Sequence, residues 1–303
     1  MSIRLKNEYL CLDIQKPGCP YRGSRFDWTG QIVQITFLDK YTFCTTETLN
    51  EQMFDKQGRG LYNEFGIDQP VGYNDCPVGW KFPKIGVGLL TKGTNKPYDF
   101  FYDYPVTPYS FPYAVENTKA QFFCETEKSR EFAFQLDKRI ELDKKTFTIH
   151  YSLSNCGKKV IKTNEYVHNF LSINRRPIDA NYKLSIPFEI RPEKLGQIVN
   201  PDNAVKVDGN SITWNSKPKE PFFFSGINNH TKGKGSWTLI HEQEKIGIQE
   251  SSDFDIQKIN VWGNGHVVSP EIYFQIEVVP GEMLEWSRKY KVFTLSEVQK
   301  EDF

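Results

Sequence analysis

The chain has 303 residues, with 38 basic and 38 acidic side chains and therefore no formal net charge. This balance argues against a general nucleic-acid binder, which carries a basic excess or stripe, and it gives no reason to expect an anionic membrane as a partner. No stretch approaches the run of about 18 apolar residues that spans a bilayer, so we expect no membrane segment.

The six cysteines are scattered singly, at positions 11, 19, 44, 76, 124 and 156. None forms a C-x-x-C pair, and none lies at zinc-site spacing from a histidine. Isolated thiols are typical of a reducing compartment, although a set of extracellular disulfides is an alternative. The first residues form no apolar segment typical of a signal peptide, and we therefore expect a cytoplasmic protein.

Aromatic residues are abundant, with 23 Phe, 15 Tyr and 6 Trp, and they favour strands. Residues 2–14 alternate loosely and predict a first strand, which ends at the turn residues 17–20. Residues 31–37 alternate as a half-buried strand does. The stretch 50–83 is rich in loop formers. The apolar run 85–90 contains two glycines, which predicts close approach of its backbone to another backbone or to a ligand.

From residue 120 onwards the pattern is that of antiparallel strands separated by turns at 143–145, 155–157 and 280–282. Candidate strands lie at 132–136, 139–142, 146–153, 161–173, 182–190, 204–207, 211–214, 221–225, 236–241, 245–250, 257–262, 272–279 and 284–293. No helical period persists beyond about two turns, and no linker or repeat divides the chain. We therefore predict one all-β domain over residues 1–303, a large antiparallel β-sandwich in which each sheet buries one face.

Two runs in this strand-rich sequence carry residues suited to proton transfer. Residues 163–170 (TNEYVHNF) contain His168, whose side chain titrates near neutrality. Residues 269–274 (SPEIYF) contain Glu271 between a proline and apolar strand formers. An acid and a base from distant strands are what proton transfer on a neutral substrate requires. In the alternative interpretation His168 is a hydrogen-bonded structural residue and Glu271 is solvated.

These runs resemble segments of the galactose mutarotase-like family, the aldose 1-epimerases and their relatives. The sequence EYVHNF at 165–170 is similar to the family's N-H-x-Y-F-N segment, whose histidine is the general acid. Glu271, upstream of the Pro-Gly-Glu turn at 280–282, resembles the family's catalytic glutamate. The sequences SRFDWTGQI at 24–32 and WSRKY at 286–290 look like the family's opening turn and last strand. The resemblance implies the family's large sandwich, the galactose mutarotase-like supersandwich.

The resemblance also implies a reaction, the interconversion of the α and β anomers of a free sugar. Ionised Glu271 would take the proton of the C1 hydroxyl, while protonated His168 would give one to the ring oxygen. The ring then opens, the C1–C2 bond rotates, and the ring closes on the other face. This chemistry needs no metal or nucleotide cofactor, and we expect none. The expected partner is a small-molecule carbohydrate.

Two positions depart from the family pattern. Glu64 stands where many members carry the arginine of an Asn-Arg pair, and Lys84 stands where many carry a first histidine. We predict that the substrate, through its hydroxyls or an acidic substituent, is bound by a set of basic and aromatic residues, namely Lys84, Arg59, Arg175 and Trp262. Lys84 has a second interpretation, in which it neutralises Glu64 or Glu271 and serves only charge balance.

Other functions are open on the same fold, because a fold does not decide an activity. One is a non-catalytic carbohydrate-binding module, in which Trp80, Arg175 and the loop 50–83 would matter more than His168 and Glu271. A polysaccharide lyase or hydrolase is less favoured, because such enzymes usually add a helical domain. The sequence leaves the identity of the sugar and the oligomeric state open.

Overall fold

The computed structural model describes residues 2–126 and 131–297. Three short 3-10 turns occur, at Glu51–Met53, Ile173–Arg175 and Pro192–Lys194. In chain order the strands are Ser2–Lys6 (β1), Leu10–Gln15 (β2), Ile32–Phe37 (β3), Tyr41–Thr42 (β4), Gly60–Phe65 (β5), Lys81–Lys84 (β6), Gly88–Thr91 (β7), Val106–Pro108 (β8), Tyr113–Val115 (β9), Lys119–Glu125 (β10), Phe134–Asp143 (β11), Thr146–Asn155 (β12), Ile161–Phe170 (β13), Tyr182–Ser185 (β14), Ile198–Val199 (β15), Val205–Asp208 (β16), Ser211–Trp214 (β17), Phe222–Phe224 (β18), Lys234–His241 (β19), Ile246–Asp255 (β20), Lys258–Asn264 (β21), Val267–Val278 (β22) and Met283–Thr294 (β23).

The strands form two ten-stranded antiparallel sheets and one small sheet. The first sheet has the order β1-β2-β3-β5-β13-β22-β21-β18-β15, with β4 added beside β3. The second sheet has the order β16-β17-β14-β19-β20-β23-β12-β11-β10-β9, and the small sheet is β6-β7-β8. One hydrophobic core contains side chains of both large sheets, such as Val167 and Ile276 from the first and Leu239 and Val292 from the second. The predicted antiparallel β-sandwich is confirmed.

Strands of the second sheet follow the simple alternation that the sequence shows. In β12 every second residue is buried, including Ile149, Tyr151 and Leu153, while the residues between them are half-buried. Successive side chains of a strand point to opposite faces, so β12 has one face in the core and one nearer to solvent. Its hairpin with β11 turns at Lys144, which has a left-handed φ of 51°, as the turn signal at 143–145 predicts.

The centre of the first sheet differs from the prediction, because it is buried on both faces. All six residues of β5 are buried, and so are nine of the ten residues of β13. The face that points away from the sandwich core is buried in a second, mainly aromatic cluster. This cluster consists of Tyr21, Phe26, Trp28, Tyr62, Tyr73, Phe82, Val87, Leu90, Tyr104, Phe170 and Val267. The N-terminal loop and the small sheet therefore form a cover over the first sheet.

Fully buried charges link the two large sheets. The guanidinium of Arg288 on β23 donates to Glu165 on β13, with an Nη2–Oε2 distance of 2.6 Å, and to Glu250 on β20, with an Nη1–Oε1 distance of 2.6 Å. All three side chains have no exposed surface. A buried ion pair that loses one partner leaves an uncompensated charge. Loss of any one of these three side chains should therefore lower the stability of the fold.

Strand boundaries differ from the sequence prediction at several places. Strand β5 and most of β6 lie within the stretch 50–83, which was predicted to be rich in loops, and the predicted strand 182–190 ends at Ser185. The stretch 2–14 is a hairpin of β1 and β2, because Asn7 Oδ1 accepts the backbone N–H groups of Tyr9 and Leu10 and turns the chain. The predicted strands 132–136 and 139–142 are parts of the single strand β11. Among the described residues, no helix has the length and apolar character needed to cross a membrane.

Candidate active site

The two runs singled out in the sequence lie on neighbouring strands of the first sheet. The antiparallel register pairs Tyr166 of β13 with Tyr273 of β22, and Leu171 with Val268 further along. This register places His168 directly opposite Glu271. Odd-numbered residues of β13, such as Glu165, enter the sandwich core, so the side chain of His168 points the other way, towards the cover.

The side chains of His168 and Glu271 are in direct contact. His168 Nε2 lies 3.3 Å from Glu271 Oε1. Ser269 Oγ lies 2.8 Å from His168 Nδ1 and 3.4 Å from Glu271 Oε1, so it contacts both partners. The hydroxyl of Tyr273 donates to Glu271 Oε2 over 3.1 Å. The carboxylate and the imidazole are thus held in position by hydroxyl groups of the same strand.

Burial shifts the ionisation of both groups towards their neutral forms. Burial raises the pKa of Glu271 to about 8, against lowering contributions from Arg25 and the hydrogen bond of Tyr273. Burial lowers the pKa of His168 well below its ordinary 6.5, and the nearby charge of Arg25 lowers it further. Between these two values the pair holds a single proton.

Arg25, from the N-terminal loop, organises one wall of the site. Its Nε donates to Glu64 Oε2 over 2.8 Å, its Nη1 to Glu47 Oε1 over 3.1 Å, and its Nη2 to the Tyr166 hydroxyl over 3.0 Å. The Tyr166 hydroxyl in turn donates to Glu64 Oε2 over 2.7 Å. The guanidinium also lies 4.6 Å from the ring centre of Phe100. Each of its three nitrogens donates one hydrogen bond to protein, so Arg25 positions Glu47 and Tyr166.

A cleft of about 610 Å³ opens over the pair. His168 and Glu271 line it together with Trp262, Lys258 and Asn260 of β21. The Trp262 ring stands edge-on to the imidazole of His168, with 5.3 Å between the ring centres. An aromatic wall beside a few polar groups is typical of a pocket for a small organic ligand. The cleft can therefore bring a polar ring compound onto the His168–Glu271 pair.

Three of the residues predicted to act in the site lie in the cleft wall, namely His168, Glu271 and Trp262. Lys84 is buried outside that wall, where its Nζ lies 3.4 Å from Glu64 Oε1 and 3.1 Å from the Tyr98 hydroxyl. Burial lowers the pKa of Lys84 to about 8. These contacts are those of the charge-balance interpretation, with Glu64 as the partner.

Arg59 and Arg175 also lie outside the cleft wall. The guanidinium of Arg59 stacks over Phe54, 4.8 Å from the ring centre. Arg175 is exposed at the end of a 3-10 turn, with a left-handed φ of 57°. Closeness in sequence to a motif does not decide which way a side chain points. Successive side chains of a strand point to opposite faces, and the chain turns between the end of β13 and Arg175.

Sequence reasoning missed several residues that contact the pair or line its wall. Ser269 had a usable signal, because it lies two positions before Glu271 and so shares its face of β22. Tyr166 lies two positions before His168 and shares its face of β13 in the same way. Arg25 had no local signal, because its partners are distant in the chain.

Two further observations bear on the chemistry of the site. Within residues 2–126 and 131–297, no group of three or more His, Cys, Asp or Glu side chains is arranged to hold a metal ion. All six cysteines are free thiols, and Cys11, Cys44 and Cys124 are buried.

The chain is similar to solved structures over almost its whole length. It matches a candidate aldose 1-epimerase from Escherichia coli K12 with a TM-score of 0.63 and 13% identity, over 97% of this chain and 99% of that one. A galactose mutarotase related enzyme from Lactobacillus acidophilus matches with a TM-score of 0.59 and 11% identity, over 97% and 98% of the two chains. A galactose mutarotase-like protein from Lactobacillus casei matches with a TM-score of 0.58 and 12% identity, over 97% and 100%.

No protein-family model matches the sequence, and no curated protein matches it. At such low identity the structural likeness shows the fold alone. The chain has the galactose mutarotase-like sandwich, and the fold implied by the sequence resemblance is confirmed.

Proposed function

We propose that this protein, which has the galactose mutarotase-like fold, is an aldose 1-epimerase-like mutarotase that interconverts the α and β anomers of a free sugar. The observation that carries the proposal is the contact of His168 with Glu271, 3.3 Å apart on neighbouring strands beneath a cleft. A carboxyl and an imidazole that share one proton form an acid and base pair for proton transfer to and from a neutral substrate. A cytoplasmic location is also proposed, and the free thiols support it.

The single proton of the pair suffices for a complete cycle. Burial favours the resting proton on Glu271, and the cycle begins when that proton passes to His168 across the 3.3 Å contact. Ionised Glu271 then takes the proton of the C1 hydroxyl, the bond between C1 and the ring oxygen breaks, and His168 protonates that oxygen. The open-chain aldehyde rotates about its C1–C2 bond. Closure runs the same transfers backwards: His168 takes the proton of the attacking hydroxyl, and Glu271 gives one to the carbonyl oxygen. The proton therefore moves from His168 to Glu271 on opening and returns on closure.

The charges of the site support a neutral sugar as substrate. The buried cation that was predicted to favour an acidic sugar, Lys84, is paired with Glu64 behind the cleft. The guanidinium of Arg25 is likewise occupied by Glu64, Glu47 and Tyr166. In the cleft wall, Asn260 and Lys258 supply polar groups, and Trp262 supplies an aromatic surface for the apolar face of a sugar ring.

Polarimetry or NMR of freshly dissolved α-glucose and α-galactose tests the proposal. We expect His168→Ala and Glu271→Gln each to lower the rate of anomerisation by about 10²-fold or more, the scale for loss of a general acid or base. The matched control is Glu277→Gln, an exposed glutamate on the same strand as Glu271, which should keep the wild-type rate. Circular dichroism establishes that all variants are folded.

Two results would contradict the proposal. Wild-type rates in either variant would remove that residue from the mechanism. Saturable sugar binding without faster equilibration in the wild-type protein would instead support a non-catalytic carbohydrate-binding module.

A further inference from the structure

The cleft over the His168–Glu271 pair is one compartment of a larger depression. A second recess of about 660 Å³, here called the outer recess, adjoins it. The two compartments share four wall residues: Glu47, Phe101, Pro221 and Trp262. The remaining walls of the outer recess include Leu49, Lys217, Pro218 and His266.

Trp262 sets the distance between the catalytic pair and the outer recess. Its ring centre lies 5.3 Å from that of His168, and the same residue lines both compartments. Suppose that the reactive carbon of a ligand lies at the His168–Glu271 pair. A part of that ligand that extends past the Trp262 side chain then lies in the outer recess. The outer recess lies next to the reacting residue of a substrate rather than at a remote surface.

The walls of the outer recess combine apolar surface with polar groups. The side chains of Leu49 and Phe101 are 73% and 78% exposed, although large apolar side chains are normally withdrawn from water. Grouped apolar exposure around a recess marks a binding groove. Lys217, which forms no ion pair with a described residue, provides a hydrogen-bond donor at the same place. Apolar surfaces beside donors and acceptors suit the apolar faces and hydroxyl edges of a sugar ring.

We infer that the substrate is a reducing disaccharide or a longer reducing oligosaccharide. Its reducing residue occupies the cleft over His168 and Glu271, and its next residue crosses Trp262 into the outer recess. The inference rests on the proposed function and names its substrate class. The chemistry is unchanged: only the hemiacetal of the reducing residue opens and closes, and the glycosidic bond stays intact.

The test is a comparison of kcat/KM for anomerisation between mono- and disaccharides. NMR of the anomeric protons is recorded with glucose, galactose, maltose, cellobiose, lactose and glucose 6-phosphate as substrates. We expect at least one disaccharide to exceed its reducing-end monosaccharide by about tenfold in kcat/KM, the scale of discrimination that added pocket contacts provide.

A double variant locates that preference. Leu49→Ala with Lys217→Ala removes two exposed side chains of the outer recess and should lower the disaccharide-to-monosaccharide ratio at least about fivefold. The matched control, Leu38→Ala with Lys206→Ala, alters an exposed leucine and an exposed lysine outside these walls and should leave the ratio unchanged.

The outcomes separate the inference from the proposed function. If monosaccharides are anomerised and no disaccharide is preferred, or if the double variant leaves the ratio unchanged, the inference is wrong and the proposed function stands. A gain for glucose 6-phosphate without one for any disaccharide also overturns it, because the lysines would then bind a phosphate. If no sugar is anomerised, the proposed function and the inference are both rejected.

Discussion

At the scale of single residues, the proposed chemistry depends on the proton that His168 and Glu271 share. Burial disfavours a charge on either side chain, and the positive charge of Arg25 disfavours an additional proton on His168. Ser269, which contacts both partners, fixes the orientation of the imidazole. The one-proton form is therefore the form present near neutrality, and in the resting site burial favours the proton on Glu271.

This leads to a pH profile for anomerisation. We expect kcat/KM to fall as the pH rises through about 8, where Glu271, with its raised pKa, gives up the last proton of the pair. On the acid side activity should persist below pH 6.5, because the pKa of His168 is lowered from that value and a second proton binds only at lower pH. Initial rates on α-glucose across buffers of constant ionic strength measure the profile.

The residual activity of Glu271→Gln provides the control for this assignment, and it should lack the decline near pH 8. An activity that increases through pH 8 in the wild-type protein would show that the pair works without a proton and would contradict the shared-proton mechanism.

At the scale of elements, the two faces of β13 lie in different environments. The side chain of His168 enters the cleft, and that of Glu165, three residues earlier on β13, enters the sandwich core and pairs with Arg288. The buried charges of Arg288, Glu165 and Glu250 connect β23 to β13 of the first sheet and to β20 of the second. The strand that holds His168 is thus anchored on its core-facing side by a network of buried ion pairs.

We expect Arg288→Met to lower the free energy of unfolding by about 3–5 kcal/mol, since two buried carboxylates lose their cation. The loss should be smaller at pH 5 than at pH 8. In the variant, the buried carboxyls have a raised pKa in the folded state, so at low pH they are protonated and carry no uncompensated charge. As the pH rises through that pKa they ionise without a cation, and the folded state loses stability. Urea unfolding at the two pH values measures both effects.

Arg4→Met is the matched control for this prediction, because the ion pair of Arg4 with Asp13 lies at the surface. Its unfolding midpoint should equal that of the wild type. An Arg288→Met protein as stable as this control, or one with a loss that is larger at pH 5, would show that the network does not anchor β13.

At the scale of the whole molecule, the N-terminal loop of the cover is tied to the second large sheet and to the small sheet. Asp27 of the N-terminal loop binds Lys138 of β11 in the second sheet, with an Oδ2–Nζ distance of 3.2 Å. The backbone N–H of Trp28 donates to the carbonyl of Gly86 in the β6–β7 turn over 2.8 Å. Arg25 precedes these residues directly, so the same loop brings it to the wall of the cleft.

Gly86 is the point where the small sheet meets this loop. It has a left-handed φ of 75°, and a methyl group added there would lie 2.2 Å from Asp27 Oδ1. Gly281, with a φ of 84° and open space around it, is the matched control. We expect Gly281→Ala to cost about 1–2 kcal/mol through its backbone conformation, and Gly86→Ala to cost about 1–3 kcal/mol more through the contact with Asp27. Thermal and urea unfolding measure the difference, and equal losses would show that the contact carries no constraint.

Much of the architecture could be predicted from the sequence, because it depends on local properties. Alternation of apolar residues indicates strands such as β12 and β20. Turn residues indicate the β11–β12 hairpin at 143–145 and the turn at 280–282, which links β22 of the first sheet to β23 of the second. The same local reasoning singled out His168 and Glu271, each an ionisable residue among apolar and aromatic residues of a strand. Their roles stay predictions, but their positions on strands required only the neighbouring sequence.

Tertiary structure alone decided what surrounds these strands. Arg25 meets Tyr166 across 141 positions of the chain, and Lys84 turns towards Glu64 instead of the cleft. The burial of both faces of β13 likewise depends on a loop and a small sheet from elsewhere in the chain. The physical reason is that alternation specifies only which side chains share a face of a strand, whereas the charges and surfaces that meet that face come from residues distant in sequence.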